Sequence, residues 1–228
     1  MRRQTTKTTK VAYGLKAPDL PAEFVQQQLS TLVDCEYYAR YALSQSSFSG
    51  QKARNISFEQ SLFKHVDFTT TNFPKIHLVD CRCQGCDLAN AEWMEANFHR
   101  VELRDCHLTG LRTIEAQFQD TIFHGCSAAF AQMAQITCKQ VRFEECDLSE
   151  ANFYEADLSG VLFVNCNLTN ADLTKARLTG ADLRGCKIDG MRIGPTELKG
   201  ATIDMTQALA FVRSLGIQVA TTDTTPFE

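Results

Sequence analysis

The chain has 228 residues, is 44% hydrophobic and carries a modest formal net charge of −4. That balance suits one soluble domain. No apolar run reaches transmembrane length, and the first ten residues, basic and polar, lack the apolar core of a signal peptide, so a cytoplasmic protein is expected.

Residues 1–15 read as a flexible basic tail, solvated and not a nucleic-acid contact. Residues 16–40 follow as an N-terminal capping region. Asp19-Leu20-Pro21 looks like a helix entry, and Ala22, Val25, Leu29, Leu32 and Val33 repeat at helical spacing.

From residue 41 to residue 205 the chain keeps a five-residue period. Of the 33 positions ending in 3 or 8 between Leu43 and Ile203, 28 are Leu, Ile, Phe, Met or Trp. The exceptions are Ala53, Cys83, Thr113, Ala128 and Cys138. Two residues before each centre the side chain is usually small, and nine of the twelve glycines lie two residues after one. This period fits neither a helix nor a continuous strand. It fits a short extended segment followed by a turn, with the centre and the small residue sharing one face and glycine supplying positive φ. Cys86, Cys106, Cys126, Cys146, Cys166 and Cys186 recur every twenty residues, so four pentads make one coil and equivalent positions stack in columns. One inner column runs Phe123, Phe143, Phe163, Leu183, Ile203, and another Trp93, Thr113, Met133, Phe153, Leu173, Ile193. Regular pentads are poorest between Leu111 and Gln140, where an irregularity is expected, without a long insertion.

Beyond the repeat, Asp204 or Thr206 can cap a helix ending near Leu215, with Gly216 as its stop. Residues 206–220 form a C-terminal helix and dimerisation segment, and 221–228 a disordered tail. The stripe Met205, Ala208, Leu209, Val212 and Leu215 is expected to cover the last coil. Phe211 on its flank, with Val212, Leu215, Ile217 and Val219, is then the expected homodimer interface.

Ala151-Asn152-Phe153-Tyr154-Glu155, Ala156-Asp157-Leu158-Ser159-Gly160 and Ala171-Asp172-Leu173-Thr174-Lys175 resemble the pentapeptide-repeat family. The resemblance implies an all-β fold, a right-handed quadrilateral β-solenoid, here with helical caps at both ends. Strand spacing gives about eight coils and a rod of about 40 Å.

The repeat also decides how the chemistry-bearing residues are read. Ten cysteines include a Cys83–Cys86 CxxC, but seven occupy the small inward position and two occupy centres, so they are buried structural thiols and no metal or cofactor is expected. His65, His77, His99, His107 and His124 fall in different outer columns and form no ligand set. A convex rod offers no pocket for paired acids, so the chain is not expected to be an enzyme. From Phe143 to Thr174 the acids Glu144, Glu145, Asp147, Glu150, Glu155, Asp157 and Asp172 meet no Lys or Arg, and folding brings Glu95 and Glu115 into the column of Glu155. These nine acids read either as a partner-binding acidic face or as the ordinary water-facing pattern of the fold. Met94, Ile114, Phe130 and Tyr154 form a possible apolar contact beside them, unless local distortion turns some inward.

Residues 203–219 resemble the terminal segment of Qnr-type quinolone-resistance proteins through Gln207, Leu209, Leu215, Gly216 and Val219. That resemblance implies DNA mimicry, a homodimer through the C-terminal helices, binding to bacterial DNA gyrase or topoisomerase IV, and protection from quinolones or peptide poisons. The other reading is a structural interaction scaffold for a different protein partner, using the apolar stripe.

Overall fold

The computed structural model describes residues 14–25 and 29–220. Among the described residues nine strands follow in chain order, β1 (Tyr37–Ala39), β2 (Ala42–Ser44), β3 (Ser57–Glu59), β4 (Leu62–Lys64), β5 (His77–Gln84), β6 (Asn97–Arg104), β7 (Gln117–His124), β8 (Thr137–Glu144) and β9 (Leu162–Val164), and then one helix, α1 (Met205–Ser214). Each pairing is parallel and joins residues twenty apart, as in Phe58↔Leu78 and Phe123↔Phe143. Single bridges carry the same register along the other sides, from Ser47 through Asp87 and Asp147 to Lys187.

The turns explain the four-sided section. From Arg40 to Gly190 every residue whose number ends in 0 or 5 has positive φ. Four left-handed residues per twenty turn the chain four times and return it above its own start. The chain is therefore a four-sided parallel β-solenoid. Glycine is required where the neighbouring coil leaves no room: at Gly110 an added Cβ would run into the Asn90 side chain.

Centres and small residues face inward together. The Phe123 and Phe143 rings stack at 4.6 Å between centroids, and Phe143 and Phe163 at 5.3 Å. Trp93 is buried and donates from Nε1 to Thr71 Oγ1 at 3.0 Å. Nine of the ten cysteines are buried thiols, and only Cys35 is exposed. Burial pushes the Cys81 thiol up to about 12 and raises Cys138 as well, so these thiols stay protonated. The expected irregularity between Leu111 and Gln140 is absent. β7 and β8 pair there through seven register partners, three before and four after the turn at Asp120, because Thr113 and Cys138 are small enough to sit inside without breaking the ladder.

The two ends differ from each other. Gln207 heads the C-terminal cap: its buried side chain donates to Leu183 O at 2.6 Å and to Cys186 O at 2.9 Å. Asp204 and Gln207 also form a capping box that opens α1. The N-terminal helix is a correction. The described residues 14–25 contain no helix. Pro18 and Pro21 hold Ala17 and Leu20 extended, and Val25 makes a parallel bridge with Tyr41. Gly14 and Leu15, expected in the tail, belong to this extended stretch. The remaining tail residues, 1–13 and 221–228, lie outside the described residues. Among the described residues no helix is long and apolar enough to cross a membrane.

Candidate functional site

The left-handed residues form four corners. Asn90, Gly110, Phe130 and Glu150 stack at one, and Asp80, Arg100, Asp120 and Gln140 at the opposite one, ten residues away in each coil. Glu95, Glu115, Gln135 and Glu155 form a third corner, and Gly85, Asp105, Gly125 and Glu145 the fourth.

Phe130 is the outlier. Among the described left-handed residues it is the one Phe, Tyr or Trp, with φ +60°, and it is 52% exposed. A left-handed L-residue is disfavoured by about 1–2 kcal/mol, and a bare aromatic gains nothing from water. On the side joining this corner to Glu115, the column Met94, Ile114, Ala134 and Tyr154 points outward and is half-buried. No distortion turns these residues in. The apolar stripe thus lies between Phe130 and the acids Glu95, Glu115 and Glu155.

Charge is segregated across the rod. Over residues 77–155, the two sides that meet at Phe130, together with their three corners, carry Asp87, Glu92, Glu95, Asp105, Glu115, Glu145, Asp147, Glu150 and Glu155 against the single cation Arg112. The two opposite sides carry Asp80, Glu102, Asp120 and Glu144 against Arg82, Arg100, Arg104, Lys139 and Arg142. Seven of the nine acids singled out from the sequence share the open half: Glu95, Glu115, Glu145, Asp147, Glu150, Glu155 and Asp172. Glu144 and Asp157 point from the other two sides. Glu144 pairs there with Arg142 at 2.9 Å, and Asp157 pairs with Arg177. The sequence run from Phe143 to Thr174 is therefore not one face, since a coil of twenty residues wraps it around all four sides.

Many acids have a cation one coil away. Glu95 meets Lys75 at 3.3 Å, Glu92 meets Arg112 at 3.2 Å, and Asp172 meets Arg192 at 2.8 Å. Hydrogen bonds from Lys175, Tyr154 and Gln135 hold the Glu155 carboxyl below its usual range. Lys175 also lies 4.9 Å over the Tyr154 ring. Burial raises the Asp172 pKa, but bonds from Thr174 and Arg192 outweigh it and the net shift is downward. Among the described residues, Glu115, Glu145 and Glu150 have no cation within ion-pair distance. These exposed pairs are worth little each, but they leave the free negative charge concentrated around Phe130.

The last helix is turned from its expected orientation. Gln207 points into the coil, so Phe211 and Val212 follow it and lie half-buried, with Phe211 against Ile188 and Met191. Met205 is 77% exposed, and Leu209, Leu215, Ile217 and Val219 are exposed too. The supposed capping stripe is mostly the outer one. Polar satisfaction of Leu183 O and Cys186 O sets the rotation, which hydrophobic periodicity alone does not reveal. Among the described residues no cluster of His, Cys, Asp or Glu could hold a metal ion.

The model of the pentapeptide repeat region matches residues 76–145 and 136–209. No curated protein sequence matches the chain. Among solved structures, full-length QnrB1, a plasmid-mediated fluoroquinolone resistance protein, is 18% identical, with a TM-score of 0.46 over 82% of this chain and 100% of QnrB1. HetL, involved in heterocyst differentiation regulation in the cyanobacterium Nostoc sp. strain PCC 7120, is 20% identical over 76% of this chain and 91% of HetL, with a TM-score of 0.26. Rfr23 of the cyanobacterium Cyanothece 51142 is 18% identical over 54% of this chain and 88% of Rfr23, with a TM-score of 0.29.

Proposed function

Since the chain belongs to the pentapeptide repeat family, we propose that it is a non-catalytic DNA mimic that binds a bacterial type II topoisomerase, DNA gyrase or topoisomerase IV. It either inhibits the enzyme or protects it from quinolones or peptide poisons. The observation that carries this reading is the charge segregation: nine carboxylates and one arginine around an exposed Phe130. A duplex-binding saddle is basic and selects its ligand by phosphate charge. A rod with one anionic half competes for it by the same long-range field, and Phe130, Met94 and Ile114 add an apolar anchor that DNA lacks. The Gln207 and Leu215-Gly216 end, similar to that of Qnr-type proteins, supports the same assignment.

A homodimer through the C-terminal end belongs to this reading. Met205, Leu209, Leu215, Ile217 and Val219 leave an apolar surface beyond the capping residues, and an isologous contact would cover it. Light scattering should give twice the monomer mass, and Leu215→Asp should give folded monomers. A wild-type monomer at high concentration refutes the dimer.

The test of function is a gyrase supercoiling assay with and without a poison. Wild type should change the outcome, less so at high salt. Combined Glu115→Lys, Glu145→Lys and Glu150→Lys should abolish the effect with the fold intact. If Phe130→Ala disrupts binding to some other protein while gyrase is untouched, the scaffold reading replaces this one. The pairing of Glu95, Glu155 and Asp172 with cations is what favours that alternative.

A further inference from the structure

The corner opposite Phe130 is covered. Residues 14–25 run along it, across the coils instead of around them. Leu15 sits against Gln140, Val141, Gly160 and Leu162. Lys16 N donates to Asp120 Oδ1 at 3.1 Å, and Asp19 N donates to Asp80 Oδ1 at 2.9 Å. Gln60 Nε2 donates back to Asp19 O at 3.2 Å. Val25 closes the run, its N–H donating to Arg40 O at 2.6 Å.

The geometry is that of a ligand in a matched groove. From Asp120 to Asp80 is two coil heights, about 9.6 Å at ~4.8 Å per coil, and three extended residues span about 10 Å. So the N–H groups of Lys16 and Asp19 fall on successive carboxylates two coils apart. Between them the chain passes the level of Arg100, which has no acceptor to offer, and Pro18 there has no N–H to satisfy. Arg100 instead braces Asp80 with two hydrogen bonds. The corner changes composition where the segment begins: Gly160, Gly180 and Gly200 lie beyond it, and Gln140, Asp120, Arg100, Asp80, Gln60 and Arg40 lie beneath it.

The segment is not part of the core. None of residues 14–25 is among the buried hydrophobic residues, which begin at Leu32. Beneath Leu15 to Asp19 the solenoid pairs coil on coil at twenty-residue register without help from the segment, and only Val25 joins the ladder, bridging Tyr41 at its first coil. Its apolar residues Leu15, Pro18, Leu20 and Pro21 are only half-buried.

We infer that the Arg40–Gln140 corner is a binding groove for an extended peptide, that residues 14–25 are its resident ligand, and that this ligand exchanges with peptide supplied in trans. The class of ligand follows from the contacts. It is an extended, proline-punctuated segment whose free backbone N–H groups, three residues apart, meet Asp120 and Asp80. A partner carrying such a segment would dock on the side away from Phe130, so both surfaces can be engaged at once.

The experiment uses the full chain with a site-specific protease sequence inserted between Val25 and Leu29. After cleavage the N-terminal fragment should remain with the solenoid through gel filtration. A fluorescent peptide of residues 14–25 should then replace it, with saturable binding. The same peptide methylated at the backbone nitrogens of Lys16 and Asp19 should bind about tenfold or more weakly, as expected for two lost charge-assisted hydrogen bonds. This comparison leaves the solenoid unaltered, so misfolding cannot imitate the result. Immediate loss of the fragment, retention without exchange, or equal binding of the two peptides would each overturn the inference.

Discussion

Two opposite corners of one solenoid use the same backbone turn and come to opposite ends. At the Arg100 corner, Asp80 and Asp120 are 4% and 5% exposed, roofed by the N-terminal segment. At the Phe130 corner, Glu150 is exposed and Phe130 stands 52% exposed, with none of the described residues laid over it. The covered corner alternates sign down its column, so each charge finds a partner or an N–H. The open half holds a single cation, Arg112, in its middle coils. A repeat fixes where side chains point, but the identity of the outward ones decides whether a corner is finished or left for another molecule.

Both corners rest on the same core, so the largest expected effect strikes both. Phe143→Ala removes a ring stacked between Phe123 and Phe163, and should cost about 3–5 kcal/mol in denaturant unfolding. Coils exchange stability only with their neighbours, so hydrogen exchange should rise most beside that coil. The next effect separates the corners. Asp80→Ala leaves Arg100 and the Asp19 N–H without their acceptor, which should cost about 1–3 kcal/mol and expose residues 14–25 to limited proteolysis. Glu150→Ala at the open corner should stay within about 0.5 kcal/mol. Equal costs would dissolve the contrast.

Acid should act in the same order. Burial raises the Asp80 pKa, but hydrogen bonds from Arg100 and Asp19 N outweigh it, so the net shift is downward. Asp157 is shifted down in the same way, by bonds from Ser159 and Arg177. A carboxyl held low in the folded state contributes stability that is fully present above its unfolded value. That contribution is lost as pH falls from about 4 through the folded value. Melting temperature should therefore hold from neutrality to about pH 5 and drop below about pH 4, and proteolysis between Gly14 and Val25 should set in over the same interval. In Asp80→Ala that proteolysis should already be present at neutral pH. Proteolysis of wild type that ignores pH would show that Asp80 does not hold the segment.

The fold was legible because the repeat is redundant. Thirty-three centres in one register outvote Thr113 or Cys138 at single positions. The apolar stripe was legible for the same reason, since Met94, Ile114 and Tyr154 hold outer positions of pentads. The acidic face was only half legible. Acids adjacent in sequence, such as Glu144 and Glu145, flank a bend and leave for different sides, so linear clustering misleads where column membership does not. The ends escaped because they follow no repeat. Helical spacing at Val25, Leu29 and Leu32 was real as a pattern, but it was overruled by Pro18 and Pro21 and by acceptors some sixty residues or more away, Asp80 for Asp19 and Asp120 for Lys16. One signal was available: the column Asp80, Arg100, Asp120 places charges of alternating sign where a turn usually takes Gly or Asn. The rotation of α1 likewise hung on one amide, that of Gln207.

A small effect of the opposite sign is the sharpest test of the open corner. Phe130 takes a left-handed turn that disfavours an L-residue, and more than half of its surface faces water. If it serves only the fold, replacing it should harm stability. If it serves a partner, the fold should be better without it. Phe130→Gly relieves the left-handed conformation, partly offset by the greater entropy of glycine in the unfolded chain. The expected outcome is a net stabilisation of about 0.5–1 kcal/mol by denaturant unfolding, with a loss of partner binding in the same preparation. The change at Gln140, on the covered corner and under Leu15, makes the control: Gln140→Gly relieves the same turn but leaves binding of the partner at the Phe130 corner unaltered. A Phe130→Gly variant that is destabilised, or that binds its partner as wild type does, would mean that the open corner is as structural as the covered one.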